Sequence, residues 1–250
     1  MPTFHNGAVE IAYLDEGAGE PIVLVHGFAS NKEVNWVQPG WVATLTRAGR
    51  RVIALDNRGH GQSTKLYEDA DYHTRLMAGD VAALISHLSL GHADVMGYSL
   101  GARISAVLAV HHPTRVRSLI LGGAGVRLLH TAGLSSDIAA ALEASSIHDV
   151  TDAQGRAFRL FAEQTKSDLR ALAACIRGSR QALRREEMRA IRVPVLVAVG
   201  TKDDIAGSGP ELAKLIPHGL ALDIPGRDHM VAVGDRVFKN GVVEFLKERP

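Results

Sequence analysis

Short apolar runs alternate with helix-length stretches along most of this chain, and that alternation constrains the fold more than any other feature. The runs are compact and rich in β-branched residues, as buried strands are. They cover Val9–Gly17, Pro21–Gly27, Arg51–Asp56, Ala93–Ser99, Val116–Gly123, Val193–Gly200 and Leu220–Gly226. The helix-length stretches are His73–Leu90, Leu100–His111, Ser208–Ile216 and Val231–Glu248. This pattern predicts an α/β protein with a mostly parallel sheet, helices on both of its faces and an antiparallel hairpin at the N-terminus.

The alternation breaks between Ala124 and Arg192. This stretch is rich in Ala, Arg, Leu and Glu, and it contains short amphipathic patterns without a convincing strand. We therefore predict a helical cap at 124–192, inserted into a core that 1–123 and 193–250 form together. A length of 250 residues suits one large domain with an insertion better than two equal domains.

The composition narrows the possible partners. Lys and Arg number 28 and Asp and Glu 27, so the net charge of +1 gives no reason to expect nucleic acid or an anionic membrane surface. A hydrophobic share of 46% and a charged share of 22% exclude general disorder. The sequence shows neither a secretory signal nor an apolar run of transmembrane length, so a soluble, cytoplasmic protein is expected. The single cysteine, Cys175, cannot form an intramolecular disulfide and is expected to be a small buried hydrophobe.

The most informative motif is Gly97-Tyr98-Ser99-Leu100-Gly101, which directly follows an apolar strand and precedes a helix-forming run. In this context G-x-S-x-G predicts a sharp strand-to-helix turn that exposes the serine hydroxyl. The turn requires small residues two positions on either side of the serine, because the backbone doubles back tightly. Ser99 then lies at a helix N-terminus, where backbone N–H groups and the helix dipole favour developing negative charge. Ser99 is therefore the candidate nucleophile.

A serine hydroxyl needs a base that removes its proton and a third group that orients the base. One predicted strand leads into Thr201-Lys202-Asp203-Asp204, and the next leads into Arg227-Asp228-His229-Met230. Both polar groups thus follow the carboxyl end of a strand, which is the edge where ligands bind in open α/β sheets. The chain order Ser, Asp, His is also the order that accompanies this turn.

Five segments taken together resemble the α/β-hydrolase superfamily, and the resemblance covers nearly the whole chain outside the predicted cap. The segments are HGF at 26–28, DNRGHGQS at 56–63, GYSLG at 97–101, GTKDD at 200–204 and GRDH at 226–229. The resemblance implies an α/β-hydrolase fold in which Ser99 is the nucleophile and His229 is the general base and then the acid. It assigns the orienting acid to the fourth segment, where Asp203 fits the family's frame best and Asp204 is the substitute candidate. Asp228, beside the histidine, is expected to be a surface or loop-capping carboxylate.

The same resemblance assigns an oxyanion hole to the backbone N–H groups of Phe28 and Leu100. A missing donor of this kind typically lowers the rate by about 10²–10³-fold. Four polar residues of the neighbouring loops are expected to fix those loops rather than to take part in the chemistry: His26, Asp56, Arg58 and His60.

Other residues leave alternatives open. Trp36 and Trp41 either line the mouth of a pocket beside Phe28 or pack in the core. Most cap arginines follow the pattern of a solvated helix face, although one that pointed inward could bind a carboxylate substrate. These arginines are Arg156, Arg159, Arg170, Arg177, Arg180, Arg184 and Arg185. The twelve histidines lack carboxylates at metal-ligand spacing, so no metal is expected, and a serine acyl-enzyme cycle requires no organic cofactor.

Together, these observations predict a serine hydrolase that cleaves a carboxylic ester, or a related acyl bond, of a small molecule through an acyl-enzyme. Hydrolysis of an enol-lactone, an amide or a carbon–carbon bond stays open, because enzymes of this fold use the same triad for all of them. A serine at the nucleophile position argues against the haloalkane dehalogenases and epoxide hydrolases of the fold, which have an aspartate there. The alternative of another class is a non-catalytic protein that binds a small molecule in the same pocket.

Overall fold

The predicted sheet is present, and the fold-class prediction is confirmed. In the computed structural model, which describes residues 1–130 and 137–249, eight strands form one sheet. The strands are β1 (Thr3–Asn6), β2 (Val9–Glu16), β3 (Glu20–Val25), β4 (Arg50–Leu55), β5 (Ala93–Tyr98), β6 (Val116–Gly122), β7 (Val195–Gly200) and β8 (Gly219–Ile224). Their order across the sheet is β1-β2-β4-β3-β5-β6-β7-β8. The pairs β1–β2 and β2–β4 are antiparallel and all the others are parallel, so the predicted N-terminal hairpin consists of β1 and β2.

Helices cover both faces of the sheet. Those of the described residues are α1 (Trp41–Arg47), α2 (Thr74–His87), α3 (Leu100–His111), α4 (Asp137–Glu143), α5 (Ala153–Gln164), α6 (Leu169–Gly178), α7 (Arg185–Ala190), α8 (Gly209–Ala213) and α9 (Arg236–Glu248). Apolar residues of α1 and α9 pack on one face, and those of α2, α3 and α8 pack on the other. The continuous apolar runs of β3, β5 and β7 are buried because each of these strands contributes side chains to both cores.

Trp36 and Trp41 belong to the core rather than to a pocket mouth. Both side chains are fully buried, and their rings meet edge to face with centroids 6.2 Å apart. Trp41 also lies 4.9 Å from the ring of Phe238 on α9, and its indole N–H donates to the carbonyl of Val233 at 2.6 Å. The two tryptophans therefore fix α1 and α9 on the same face of the sheet.

Three helices are shorter than the sequence pattern predicts. The helix predicted at His73–Leu90 covers Thr74–His87, and side-chain capping marks where the other two begin. The last helix begins at Arg236 rather than Val231, because the carboxylate of Asp235 accepts from the N–H of Val237 at 2.7 Å. The helix predicted at Ser208–Ile216 covers only Gly209–Ala213, and Ser208 caps it through the N–H of Glu211. Apolar periodicity continues beyond these ends and does not mark where the backbone changes direction.

The stretch between β6 and β7 contains α4, α5, α6 and α7; its positions 131–136 lie outside the described residues. Part of it lies above the carboxyl ends of the strands. The ring of Phe158 on α5 is 5.8 Å from that of Phe28, and the Thr165 hydroxyl donates to the carbonyl of Ala29 at 3.0 Å. These contacts support the proposal that 124–192 is a cap and that 1–123 and 193–250 are the core.

The order of the strands determines where a crevice opens. After β3 the chain passes through α1 to β4 on one side, and after β4 it returns through α2 to β5 on the other side of β3. The carboxyl ends of β3 and β5 are therefore a topological switch point, where the two connections leave a gap. The HGF turn follows β3 and Ser99 follows β5, so the strand order brings both segments to this gap. No helix in the described ranges has both the length and the apolar character needed to cross a bilayer.

Candidate active site

Ser99 lies on a turn that only small neighbours permit. Its backbone has φ 55° and ψ −113°, and α3 begins at the next residue. A Cβ at Gly97 would overlap the backbone of Gly101, and a Cβ at Gly101 would overlap the carbonyl oxygen of Val25 on β3. Both glycines are therefore required by close backbone approach, which is the local reason for the G-x-S-x-G pattern.

The structure brings together the three residues that the sequence proposed as a triad. The imidazole Nε2 of His229 lies 2.9 Å from the hydroxyl of Ser99, and its Nδ1 lies 2.8 Å from Oδ2 of Asp203. Asp203 and His229 are both buried, with relative exposures of 8% and 6%. The three side chains come from the carboxyl ends of β5, β7 and β8, so the sheet holds them at one edge.

Asp203 is held in its ionised form. Burial alone would raise the pKa of this carboxyl, but the hydrogen bond with His229 and the N–H groups of Ala206 and Ile205 bring it below its usual value. Those two N–H groups donate to Oδ1 at 2.8 and 2.9 Å, which leaves Oδ2 for the histidine. An ionised Asp203 accepts the Nδ1–H of His229, so Nε2 is free to accept the proton of Ser99.

The two neighbouring aspartates have other contacts. The backbone carbonyl of Asp204 accepts from the guanidinium of Arg127. The carboxylate of Asp228 accepts from the N–H groups of Met230 and Val231 at 2.9 and 3.1 Å, which confirms its predicted loop-capping role. Of these carboxylates, it is Asp203 that contacts His229.

Phe28 and Leu100 present two backbone N–H groups beside Ser99. Both residues line a cleft that also contains Ser99, and Leu100 is the first residue of α3. Within the part of the chain that the structure describes, neither N–H donates to another protein group. The two N–H groups can therefore serve as donors to an oxyanion on a substrate held at Ser99.

His26 holds the HGF turn, as predicted. Its Nε2 accepts from the N–H of Asn57 at 3.0 Å, and its Nδ1 lies 2.7 Å from the carbonyl of Gly27. Burial lowers the pKa of His26, which keeps this imidazole neutral. The side chain of Asn35, which the sequence analysis did not single out, accepts from the N–H of Gly27 at 3.0 Å and fixes the turn from its other side.

The loop after β4 is also held by buried polar contacts. Asp56 accepts from both the backbone N–H and the ammonium group of Lys32, at 2.8 and 2.7 Å. Arg58 forms a bidentate pair with Asp80 on α2, and the Nδ1 of His60 lies 3.0 Å from the carbonyl of Arg58. These contacts confirm the expected loop-fixing role of Asp56, Arg58 and His60.

Two clefts meet at Ser99. One is mainly apolar, and its lining includes Phe158 and Phe161 of α5 together with Tyr98 and His229. The other lies between α3 and the segment after α6, and its lining includes three arginines, Arg103, Arg127 and Arg180. A substrate whose reacting carbonyl lies at Ser99 can thus extend into two chemically different regions.

Arg103 and Arg127 were not among the arginines that the sequence analysis considered. Arg103 interrupts the mainly apolar helix α3, four residues after Ser99, and a charged residue in such a run was the signal in the sequence; the structure leaves it only 7% exposed. Arg180 was one of the seven cap arginines, and the structure selects it as the member that lines a cleft with Ser99. Among the described residues, no group of three His, Cys, Asp or Glu side chains is placed to hold a metal ion.

The comparisons with known proteins agree with this geometry. A family model for the alpha/beta hydrolase fold matches residues 20–141. BpoC of Mycobacterium tuberculosis, a candidate non-heme bromoperoxidase, is 32% identical over 246 residues, which cover 89% of this chain and 91% of BpoC. YisY of Bacillus subtilis, an AB hydrolase superfamily protein, is 33% identical over 226 residues, covering 82% of each chain.

Among solved structures, the enol-lactonase from Burkholderia xenovorans superimposes with a TM-score of 0.80 at 24% identity, covering 99% of this chain and all of that one. This likeness concerns the fold, including the sheet and the helices that cover it. The sequence relatives, the family model and the strand–turn–helix geometry at Ser99 lead to the same conclusion: the chain belongs to the alpha/beta hydrolase family.

Proposed function

We propose that this protein is a serine hydrolase that cleaves a carboxylic ester, or a related acyl bond, of a small molecule. The observation that carries the proposal is the continuous chain of hydrogen bonds from Ser99 to His229 to Asp203, at 2.9 and 2.8 Å. A positioned base and an ionised orienting acid are what a serine hydroxyl needs to act as a nucleophile. Membership of the family supports hydrolase chemistry.

The proposed cycle follows from this geometry. Ser99 Oγ attacks the carbonyl carbon while its proton passes to Nε2 of His229, and the N–H groups of Phe28 and Leu100 stabilise the oxyanion. His229 then gives the proton to the leaving alcohol, whose bond to the acyl carbon breaks. Water then attacks the acyl carbon while its proton passes to His229, the bond between that carbon and Ser99 Oγ breaks, and His229 returns the proton to Oγ as the acid leaves.

The alternatives within the family share this chemistry up to the leaving group. Lactones, amides and vinylogous diketones all present a carbonyl that the same nucleophile can attack, so the shape of the two clefts decides among them. A screen of the purified protein against matched members of these three substrate classes and a simple ester measures that choice directly. The proposed ester specificity predicts the highest kcat/KM for the ester; a higher value for another class would transfer the assignment to that class.

A fluorophosphonate probe tests the nucleophile itself. We expect stoichiometric labelling at Ser99 and hydrolysis of short p-nitrophenyl esters by the wild-type protein. The Ser99→Ala variant should show neither, because no other group replaces the attacking oxygen. Wild-type protein that is folded, unlabelled and inactive on every ester would overturn the proposal and favour the non-catalytic binding protein.

A further inference from the structure

The cleft with the three arginines has an electrostatic character that the proposed triad chemistry does not require. Its charged lining residues within 1–130 and 137–249 are Arg103, Arg127 and Arg180, and none of the lining residues in these ranges is acidic. Among residues 1–130 and 137–249, none of the three guanidinium groups is paired with a carboxylate. By contrast, buried Lys32 and Arg58 each have an acidic partner in the same molecule. A concentration of unpaired positive charge beside a nucleophile calls for an anion in the functional complex.

Arg103 is the buried member of this group, so its charge has the greatest need of an anionic partner. It is 7% exposed, and burial lowers its pKa to about 10, which leaves the side chain charged at neutral pH. Its Nη1 donates to the carbonyls of Leu128 and Gln181, at 3.2 and 2.5 Å, and Nη2 makes a long contact of 3.4 Å with the carbonyl of His130. These carbonyl contacts hold the guanidinium in place, but they supply no opposite charge.

The remaining donors of Arg103 suit a planar anion. In the described part of the chain, its Nε–H has no acceptor and Nη2 has only the long contact. The Nε and Nη2 groups form the edge that binds a carboxylate with two parallel hydrogen bonds, as Arg58 does with Asp80 in this protein. Arg180 follows α6, is partly buried and has no hydrogen-bonded partner among the described residues, so it can approach the same anion from the cap.

We propose that Arg103 and Arg180, with Arg127 at the rim, form a subsite for a carboxylate group of the substrate, so that the preferred substrates are anionic acyl compounds. This inference rests on the proposed hydrolase function, which defines the substrate as an acyl compound. The inference adds that this compound carries a negative charge. The apolar cleft on the other side of Ser99, lined by Phe158 and Phe161, would hold an uncharged part of the same molecule. The fold of the family does not determine whether a substrate is charged. Here the three arginines favour a substrate with a negative charge.

A matched pair of esters tests the subsite. The anionic substrate is mono-4-nitrophenyl adipate, and its neutral counterpart is the methyl ester of the same compound. The pair of 4-acetoxybenzoate and its methyl ester places the charge on the leaving group instead. We expect the wild-type kcat/KM to favour the anionic member of at least one pair by about tenfold or more, because charge-assisted hydrogen bonds form only with that member.

Two variants separate the subsite from general charge effects. Arg180→Met should lower the anionic-to-neutral ratio of kcat/KM toward one. The control Arg189→Met removes the same charge from exposed Arg189 on α7, outside the cleft lining, and should keep the wild-type ratio. Arg103→Met should likewise lower the ratio. If that variant does not fold, Arg103→Lys keeps the charge but loses the two parallel donors of the guanidinium, and it should also reduce the ratio.

Binding measured without turnover keeps this inference separate from the proposed function. Calorimetry of the Ser99→Ala variant with adipate should show binding that the additional change Arg180→Met weakens at least about tenfold. Ester hydrolysis without a preference for either anion, together with no adipate binding, would overturn the subsite alone. Adipate binding without any hydrolysis or labelling would support the subsite and overturn the hydrolase.

Discussion

The backbone of Ser99, at φ 55° and ψ −113°, occupies a region that a residue with a side chain rarely enters. Such a conformation costs on the order of 1–3 kcal/mol and persists only where the surroundings impose it. Here β6 and α3 impose it, since the N–H of Ser99 donates to the carbonyl of Gly122 on β6 at 2.8 Å and its carbonyl accepts from the N–H of Arg103 on α3 at 3.2 Å. The strain therefore holds the hydroxyl toward His229.

Single substitutions can show which of the two adjacent aspartates, Asp203 or Asp204, orients His229. Asp203→Asn should reduce kcat on a p-nitrophenyl ester by about 10⁴-fold, because an amide cannot hold His229 in the required tautomer. Asp204→Asn is the matched control and should change kcat less than about twofold. The reverse pair of results would move the orienting role to Asp204 and contradict the observed 2.8 Å contact between Asp203 and His229.

At the level of elements, the β5–α3 turn depends on the close approach of α3 to β3. Gly101→Ala would drive a methyl group into the carbonyl of Val25, and we expect a loss of about 2 kcal/mol or more in the free energy of unfolding. Gly79→Ala on α2 is the control, because a Cβ there meets nothing within 4 Å and alanine favours a helix by up to about 1 kcal/mol. Urea denaturation of both variants distinguishes these effects, and equal stabilities would contradict the packing at Gly101.

Helix α5 of the proposed cap contributes a wall to the apolar cleft beside Ser99. Phe161→Ala should lower kcat/KM for a p-nitrophenyl octanoate about tenfold while affecting the acetate less, because only the long chain needs that wall. Leu160→Ala is the control on the same helix, since Leu160 is 41% exposed and does not line the cleft. A parallel loss on octanoate and acetate in Phe161→Ala would indicate a structural effect instead of a contact with the chain.

For the molecule as a whole, buried neutral histidines link stability to pH. Burial lowers the pKa of His60 from an ordinary 6.5 to about 3, and it lowers the pKa of His26 as well. Between pH 6.5 and about pH 3, the unfolded chain binds a proton at His60 that the folded chain does not bind. The contribution of neutral His60 to stability is therefore fully present above pH 6.5 and is lost as the pH decreases from 6.5 toward 3.

His60→Asn tests this linkage because the amide of asparagine can keep the hydrogen bond to the carbonyl of Arg58. The slope of unfolding free energy against pH, measured with urea between pH 6 and 4, should decrease by up to about 1.4 kcal/mol per pH unit. The same replacement at exposed His148 should leave the slope unchanged. An unchanged slope in His60→Asn would show that His60 does not contribute to acid destabilisation.

Sequence reasoning succeeded where a local pattern has a local cause. The alternation of apolar runs predicted the parallel sheet, because buried strands and their covering helices each require a characteristic spacing of apolar residues. GYSLG likewise predicted the turn at Ser99, because the backbone approaches there allow only glycine at positions 97 and 101. The helix ends at Ala213 and Arg236 were not predicted correctly, since caps and tertiary contacts determine them.

The sequence by itself determined the fold class, the turn at Ser99 and the two segments that carry the candidate acid and base, because each depends on short-range spacing or on the order of segments. Only the tertiary structure selected Asp203 as the carboxylate beside His229, placed Trp36 and Trp41 in the core, and gathered Arg103, Arg127 and Arg180 in one cleft. The physical reason is that these arginines belong to separate segments. Their proximity, and the absence of a neighbouring carboxylate among the described lining residues, arises only when the segment after α6 packs over α3.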